Sequence, residues 1–67
     1  MTKKQQAMLD FIKTYIKKNN FPPSMSEIAD GLGYSSTNAV FDMLKLLEKA
    51  KVIKRTPFTA RGIVVLK

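Results

Sequence analysis

The chain has 67 residues, and twelve lysines and arginines face five acids, giving a net charge of +7 and a pI near 10.0. That length is one domain, and the absence of cysteine and histidine excludes disulfides, thiolate or imidazole metal sites and the commonest general base. Apolar residues at 45% are too many for a disordered tail. The charge calls for a polyanionic partner, nucleic acid first and an anionic membrane surface second.

Thr2 and Gln5 make a capping-box pattern, and Met8, Leu9, Phe11, Ile12, Tyr15 and Ile16 follow at helical spacing. The spacing predicts a first helix that ends in Asn19-Asn20, ahead of Pro22-Pro23. Lys13, Lys17 and Lys18 lie off its apolar stripe, and Lys3, Lys4, Lys17 and Lys18 read as a solvated face. Ser24 and Glu27 form a second capping box, opening a helix of about two turns with Met25, Ile28, Ala29 and Leu32 inward. Gly31 weakens that helix, Gly33 suits the left-handed residue after it, and Ala29 is small enough for a close helix crossing. Ser36 or Thr37 then caps a third helix over residues 36 to about 50. Its inner face is Val40, Met43, Leu44 and Leu47, and Phe41, Asp42 and Lys45 point elsewhere. Met8, Met25 and Met43 read as core fillers.

A short helix, a glycine turn and a longer capped helix match a helix-turn-helix, although an αα-corner of a three-helix bundle uses the same cues. The last third changes period. Val52–Arg55 and Gly62–Leu66 read as strands around a loop that holds Pro57. A lone hairpin is marginal and must pack on the helices. The predicted class is mainly α with a small β-hairpin, a winged helix-turn-helix, with Lys54, Arg55 and Arg61 clustered on the wing as phosphate contacts. The five acids Asp10, Glu27, Asp30, Asp42 and Glu48 form no acid/base or metal motif, and no phosphate-binding glycine pattern exists, so no catalysis and no cofactor are expected. No apolar run approaches the roughly 18 residues of a membrane span and no leader pattern opens the chain, so a cytoplasmic protein is expected.

Several stretches are similar to the N-terminal domain of the LexA repressor family. They are Thr2-Lys-Lys-Gln-Gln, Phe21-Pro-Pro-Ser-Met-Ser-Glu-Ile-Ala-Asp-Gly-Leu-Gly-Tyr, Ser36-Thr-Asn-Ala, Leu44-Lys-Leu-Leu, Val52-Ile and Arg61-Gly-Ile. The resemblance runs from Thr2 to about Leu66 and implies a winged helix-turn-helix that reads palindromic operator DNA as a dimer. By position, Ser36, Asn38 and Ala39 match the base-contacting start of the recognition helix. The next two base-reading positions, acidic in the family, are Phe41 and Asp42 here. Lys51 stands where the family commonly has glycine, and Pro57-Phe58 where it has small residues. Sixty-seven residues leave no room for the family's second, dimerising and self-cleaving domain. The chain therefore reads either as a free-standing regulator from a phage or mobile element, or as an excised domain.

The expected DNA-binding residues are Ser36, Thr37, Asn38, Ala39, Phe41, Asp42 and Lys45 on the third helix, with Lys54, Arg55 and Arg61 on the wing. For Phe41 three readings stand: a base contact such as a thymine methyl, a protein interface, or packing against the second helix. Asp42 could accept from a cytosine amino group. A homodimer on DNA through Phe58 or Lys67 is a further expectation. The alternative function is a protein-interaction winged helix that binds another regulator or RNA polymerase, favoured by Phe41 and Pro57-Phe58.

Overall fold

The computed structural model describes residues 1–56, 59 and 61–66. Three helices, α1 (Lys3–Asn19), α2 (Met25–Leu32) and α3 (Thr37–Lys49), are followed by strands β1 (Ile53–Arg55) and β2 (Ile63–Val65). The expected wing tip at Pro57-Phe58, like Lys67, lies outside the described residues.

Both expected capping boxes form. Thr2 accepts from the Gln5 backbone N–H while the Gln5 side chain accepts from the Thr2 N–H, and Ser24 and Glu27 repeat the exchange at α2. Each box satisfies first-turn donors that would otherwise lack a partner. The far ends also follow the sequence: Asn20 and Gly33 take the left-handed conformation, at φ 66° and 77°. Gly31 does more than weaken α2. A Cβ there would run into the ring of Phe11, so the bare backbone lets α1 and α2 approach.

α3 departs from expectation at its start. Ser36 is its N-cap residue, but neither it nor any other side chain caps the helix. At the other end Lys51 is left-handed, at φ 63°. The Lys51 N–H donates to the Glu48 carbonyl at 3.0 Å and the Val52 N–H to the Leu47 carbonyl at 3.2 Å. That pair of bonds is a Schellman motif, with buried Val52 and Leu47 as its apolar contact. A left-handed position favours glycine, which has no Cβ to clash, so Lys51 holds this turn at a cost.

The strands are shorter than expected by one residue at Val52 and by one at each end of β2. Val52 donates to the end of α3, and its carbonyl accepts from the Leu66 N–H at 2.8 Å. Gly62 lies against the Thr56 carbonyl, where a Cβ would sit 2.7 Å from the oxygen. The strands pair antiparallel, with Ile53 opposite Val65, Lys54 opposite Val64 and Arg55 opposite Ile63. A single core joins helices and hairpin. Met8, Leu9 and Ile12 from α1 meet Ile28 and Ala29 from α2, Val40, Leu44 and Leu47 from α3, and Val52, Ile53 and Ile63. The stripes expected on all three helices supply it, with Met25 and Met43 packed at its edge.

Candidate nucleic-acid interface

α3 has a buried face and an open one. Val40, Leu44 and Leu47 are fully buried, while Ser36, Thr37, Asn38, Ala39, Phe41, Asp42 and Lys45 are all exposed. The 3.6-residue period produces this division directly. The first-turn N–H groups of α3 have no side-chain cap, unlike those of α1 and α2. Such donors, with the positive end of the helix dipole, suit a phosphate oxygen.

Further along the open face, Phe41 is 40% exposed and is not among the residues packed on the core. Two cations lie over its ring: the Arg55 guanidinium carbon is 4.8 Å from the centroid and the Lys45 ammonium 5.4 Å. Arg55 Nε also donates to Glu48 Oε1 at 3.3 Å. Phe41 therefore packs against a cation from the hairpin, a neighbour none of its three expected readings contained.

The three expected wing cations do not form one cluster. Strand side chains alternate between faces, so Lys54, paired with Val64, points outward while Arg55 turns back toward α3. Arg61 goes elsewhere. Its two terminal nitrogens pair with both Glu27 carboxylate oxygens, at 2.5 and 2.8 Å, and one of them also donates to the Pro22 carbonyl at 3.0 Å. The same nitrogen approaches the Tyr15 hydroxyl at 3.4 Å, and the guanidinium sits 4.7 Å from the Phe21 ring centroid. Arg61 thus ties the start of β2 to the turn between α1 and α2. Fork-to-fork pairing with Arg61, then the Ser24 N–H, holds the Glu27 carboxyl down at about 2. The same carboxylate keeps the Arg61 guanidinium well above its ordinary range.

Sequence reading missed Glu48 as the partner of Arg55, and Tyr15 and Phe21 as partners of Arg61. It assigned Glu27 only to its cap. Residues 27 and 61 lie 34 positions apart, and no local periodicity reports such a contact. Among the described residues no group of three or more histidines, cysteines or acids could hold a metal. Among them, too, no helix is long and apolar enough to cross a membrane.

A short helix, a glycine turn, a second helix with an open polar face and a packed antiparallel hairpin together define a winged helix-turn-helix. The LexA DNA binding domain family matches residues 1–62, and the chain belongs to it. It is 38% identical over 66 residues to the LexA repressor of Acetivibrio thermocellus, covering 98% of this chain and 31% of that one. It is 41% identical over 63 residues to the LexA repressor of Saccharophagus degradans, covering 94% of this chain and 31% of the relative. With LexA repressor 1 of Pseudomonas syringae the identity is 43% over 63 residues, 94% of this chain and 31% of the relative. The chain thus spans about a third of the length of these relatives. They are bacterial repressors and lend no support to a phage or mobile-element origin.

Proposed function

We propose that this chain binds double-stranded DNA with sequence preference and acts as a transcriptional repressor in the cytoplasm. The observation that carries the reading is the two-faced α3: its inner face is sealed into the core while Ser36 through Ala39, Phe41, Asp42 and Lys45 stand open beside an uncapped N-terminus. In this reading α3 enters the major groove. Ser36, Thr37, Asn38 and Ala39 contact bases or flanking phosphates, and Asp42 accepts from a cytosine amino group. Lys45, Lys54 and Arg55 supply phosphate contacts, and the net +7 charge steers association. The family's name and those of its relatives, which are LexA repressors, support DNA as the partner.

One module of this size covers about one half-site, so two copies about one helical turn apart on a palindrome are part of the proposal. The alternative of a protein-binding winged helix leaned on Phe41 and Pro57-Phe58. Phe41 is exposed, but its ring lies against two cations and so offers no free apolar face, and the other two residues lie outside the described chain.

The test is selection from a random-sequence duplex pool, followed by titration of the enriched duplex across salt. An enriched half-site motif, weakened by Asn38→Ala, is the expected result. With about six phosphates neutralised, log K falls against log salt with a slope near −5. Binding without enrichment, or none at all, would overturn the assignment.

A further inference from the structure

Phe41 is a large apolar side chain, 40% exposed, on the mostly polar open face of α3. Its ring does not join the core, so burial does not explain it. Phe41, Lys45 and Glu48 are spaced by four and then three residues, which puts them in one stripe along the helix surface. Arg55 lies across that stripe, its guanidinium over the ring and its Nε on the Glu48 carboxylate. A guanidinium carries five N–H donors, and Nε uses one. The two terminal amino groups have no hydrogen-bond partner among the described residues. At the other end of the hairpin the terminal nitrogens of Arg61 are taken up by Glu27 and Pro22.

We propose that Phe41 acts on DNA through Arg55: its ring, together with Glu48, holds Arg55 as a preset phosphate clamp beside the recognition face. This rests on DNA being the partner. An arginine on a flexible stem must be ordered when it meets a phosphate, and stacking on an aromatic face does that ordering in advance. Phosphate is favoured over a base edge on two grounds. Arg55 comes from β1 rather than from the N-terminal turn of α3, and Lys45 lies near the same ring, so two cations gather at one aromatic side chain. Phe41 is then a positioning residue, with no base of its own to read.

The experiment is a double-mutant cycle on the duplex enriched from a random pool, with a second duplex shuffled at the base pairs that vary least. The variants are Phe41→Leu, Phe41→Tyr, Arg55→Gln and the Leu/Gln pair, each checked by thermal unfolding. Arg55→Gln is expected to weaken binding about fivefold near physiological salt and to flatten the salt slope by about 1 on both duplexes. Phe41→Leu is expected to weaken binding two- to fivefold, as loss of an exposed cation–π contact implies. It should enrich the same sequence as the unmutated chain and add nothing once Arg55 is Gln. Phe41→Tyr, which keeps the ring, should bind as the parent does.

Additive losses, a changed base preference in Phe41→Leu, or Leu performing as well as Phe would overturn the proposal while leaving DNA binding intact. A parent chain that binds neither duplex in a salt-dependent way would instead remove the DNA reading, and this one with it. The two failures are therefore distinguishable in the unmutated protein.

Discussion

The two arginines of the chain sit on the same hairpin and are used in opposite ways. Arg61, just before β2, has both terminal nitrogens on a carboxylate, a carbonyl at one of them and an aromatic face beneath. Arg55, at the end of β1, is held by its Nε and its flat face, and its terminal nitrogens make no hydrogen bond among the described residues. Both guanidiniums stack on a phenylalanine and pair with a glutamate. The difference is which nitrogens the glutamate takes. A bidentate pair uses up the outward fork, whereas a bond to Nε fixes the side chain and leaves the fork for a partner. Charge alone, which ranks the two residues equally in the sequence, does not separate an arginine whose terminal nitrogens are paired with a carboxylate from one held by its Nε.

Removing what both arginines share is the most damaging test of this contrast. Ile53 is 1% exposed and seats β1 on the helices. Ile53→Ala should cost about 2–4 kcal/mol. A domain of this size has a total stability of only about 3–10 kcal/mol. Urea denaturation followed by circular dichroism should show a large fall in midpoint, with duplex binding lost in proportion to the unfolded fraction. Binding kept at full strength under conditions where Ile53→Ala is largely unfolded would mean that recognition does not need the packed hairpin, and the distinction between its arginines would lose its meaning.

The next largest effect should separate the arginines. Arg61→Gln removes the bidentate pair and leaves the capping carboxylate without its counter-charge. Its thermal midpoint should fall further than that of Arg55→Gln, while its salt slope for duplex binding stays at the parent value. Arg55→Gln should show the reverse, a small change in midpoint and a flatter slope. A flatter slope in Arg61→Gln would mean that Arg61 leaves Glu27 to meet a phosphate, and the contrast would collapse.

Acid gives a second view of the same pair. Glu27 is held at about 2, below the 4.5 of an unconstrained carboxyl. Its depressed value means that the folded chain binds its proton less readily than the unfolded chain. The stability it contributes is therefore complete above pH 4.5 and is lost as pH falls from 4.5 through 2. Thermal midpoints across that window should decline in the parent and decline less in Glu27→Gln. Equal declines would assign the acid sensitivity to the other carboxyls.

How much of this was legible in advance follows from how far apart the partners are. Thr2 with Gln5 and Ser24 with Glu27 are three residues apart, and both boxes formed as read. The apolar stripes of the helices also needed only local periodicity, and they became the core. Ser36 fitted the cap pattern and yet makes no cap bond, because residue type alone does not fix the rotamer of a hydroxyl. Lys54 and Arg55 share a charge in the sequence, but the two-residue strand period sends them to opposite faces. Glu48 and Arg55 are only seven residues apart, but the chain reverses between them at Lys51, so their meeting depends on a turn that the residue types do not announce. The bond between Arg61 and Glu27 depends on the whole fold.

That turn supplies the smallest and cleanest test. Lys51 holds φ 63°, a conformation that costs a residue with a Cβ about 1–2 kcal/mol relative to the right-handed helix. Part of that cost is recovered by the two Schellman bonds, and glycine would carry its own entropic penalty. Lys51→Gly should therefore stabilise the chain by roughly 0.5–1 kcal/mol, read as a higher urea midpoint with unchanged m. The turn launches β1, so it also sets where Arg55 lands over Phe41. If backbone geometry does this and the lysine charge does not, Lys51→Gly and Lys51→Asn should both keep the parent coupling between Phe41 and Arg55, since asparagine too tolerates the left-handed region. A stabilised Lys51→Gly that lost the coupling would show the opposite: the strain at Lys51 would be what presses the arginine onto the ring.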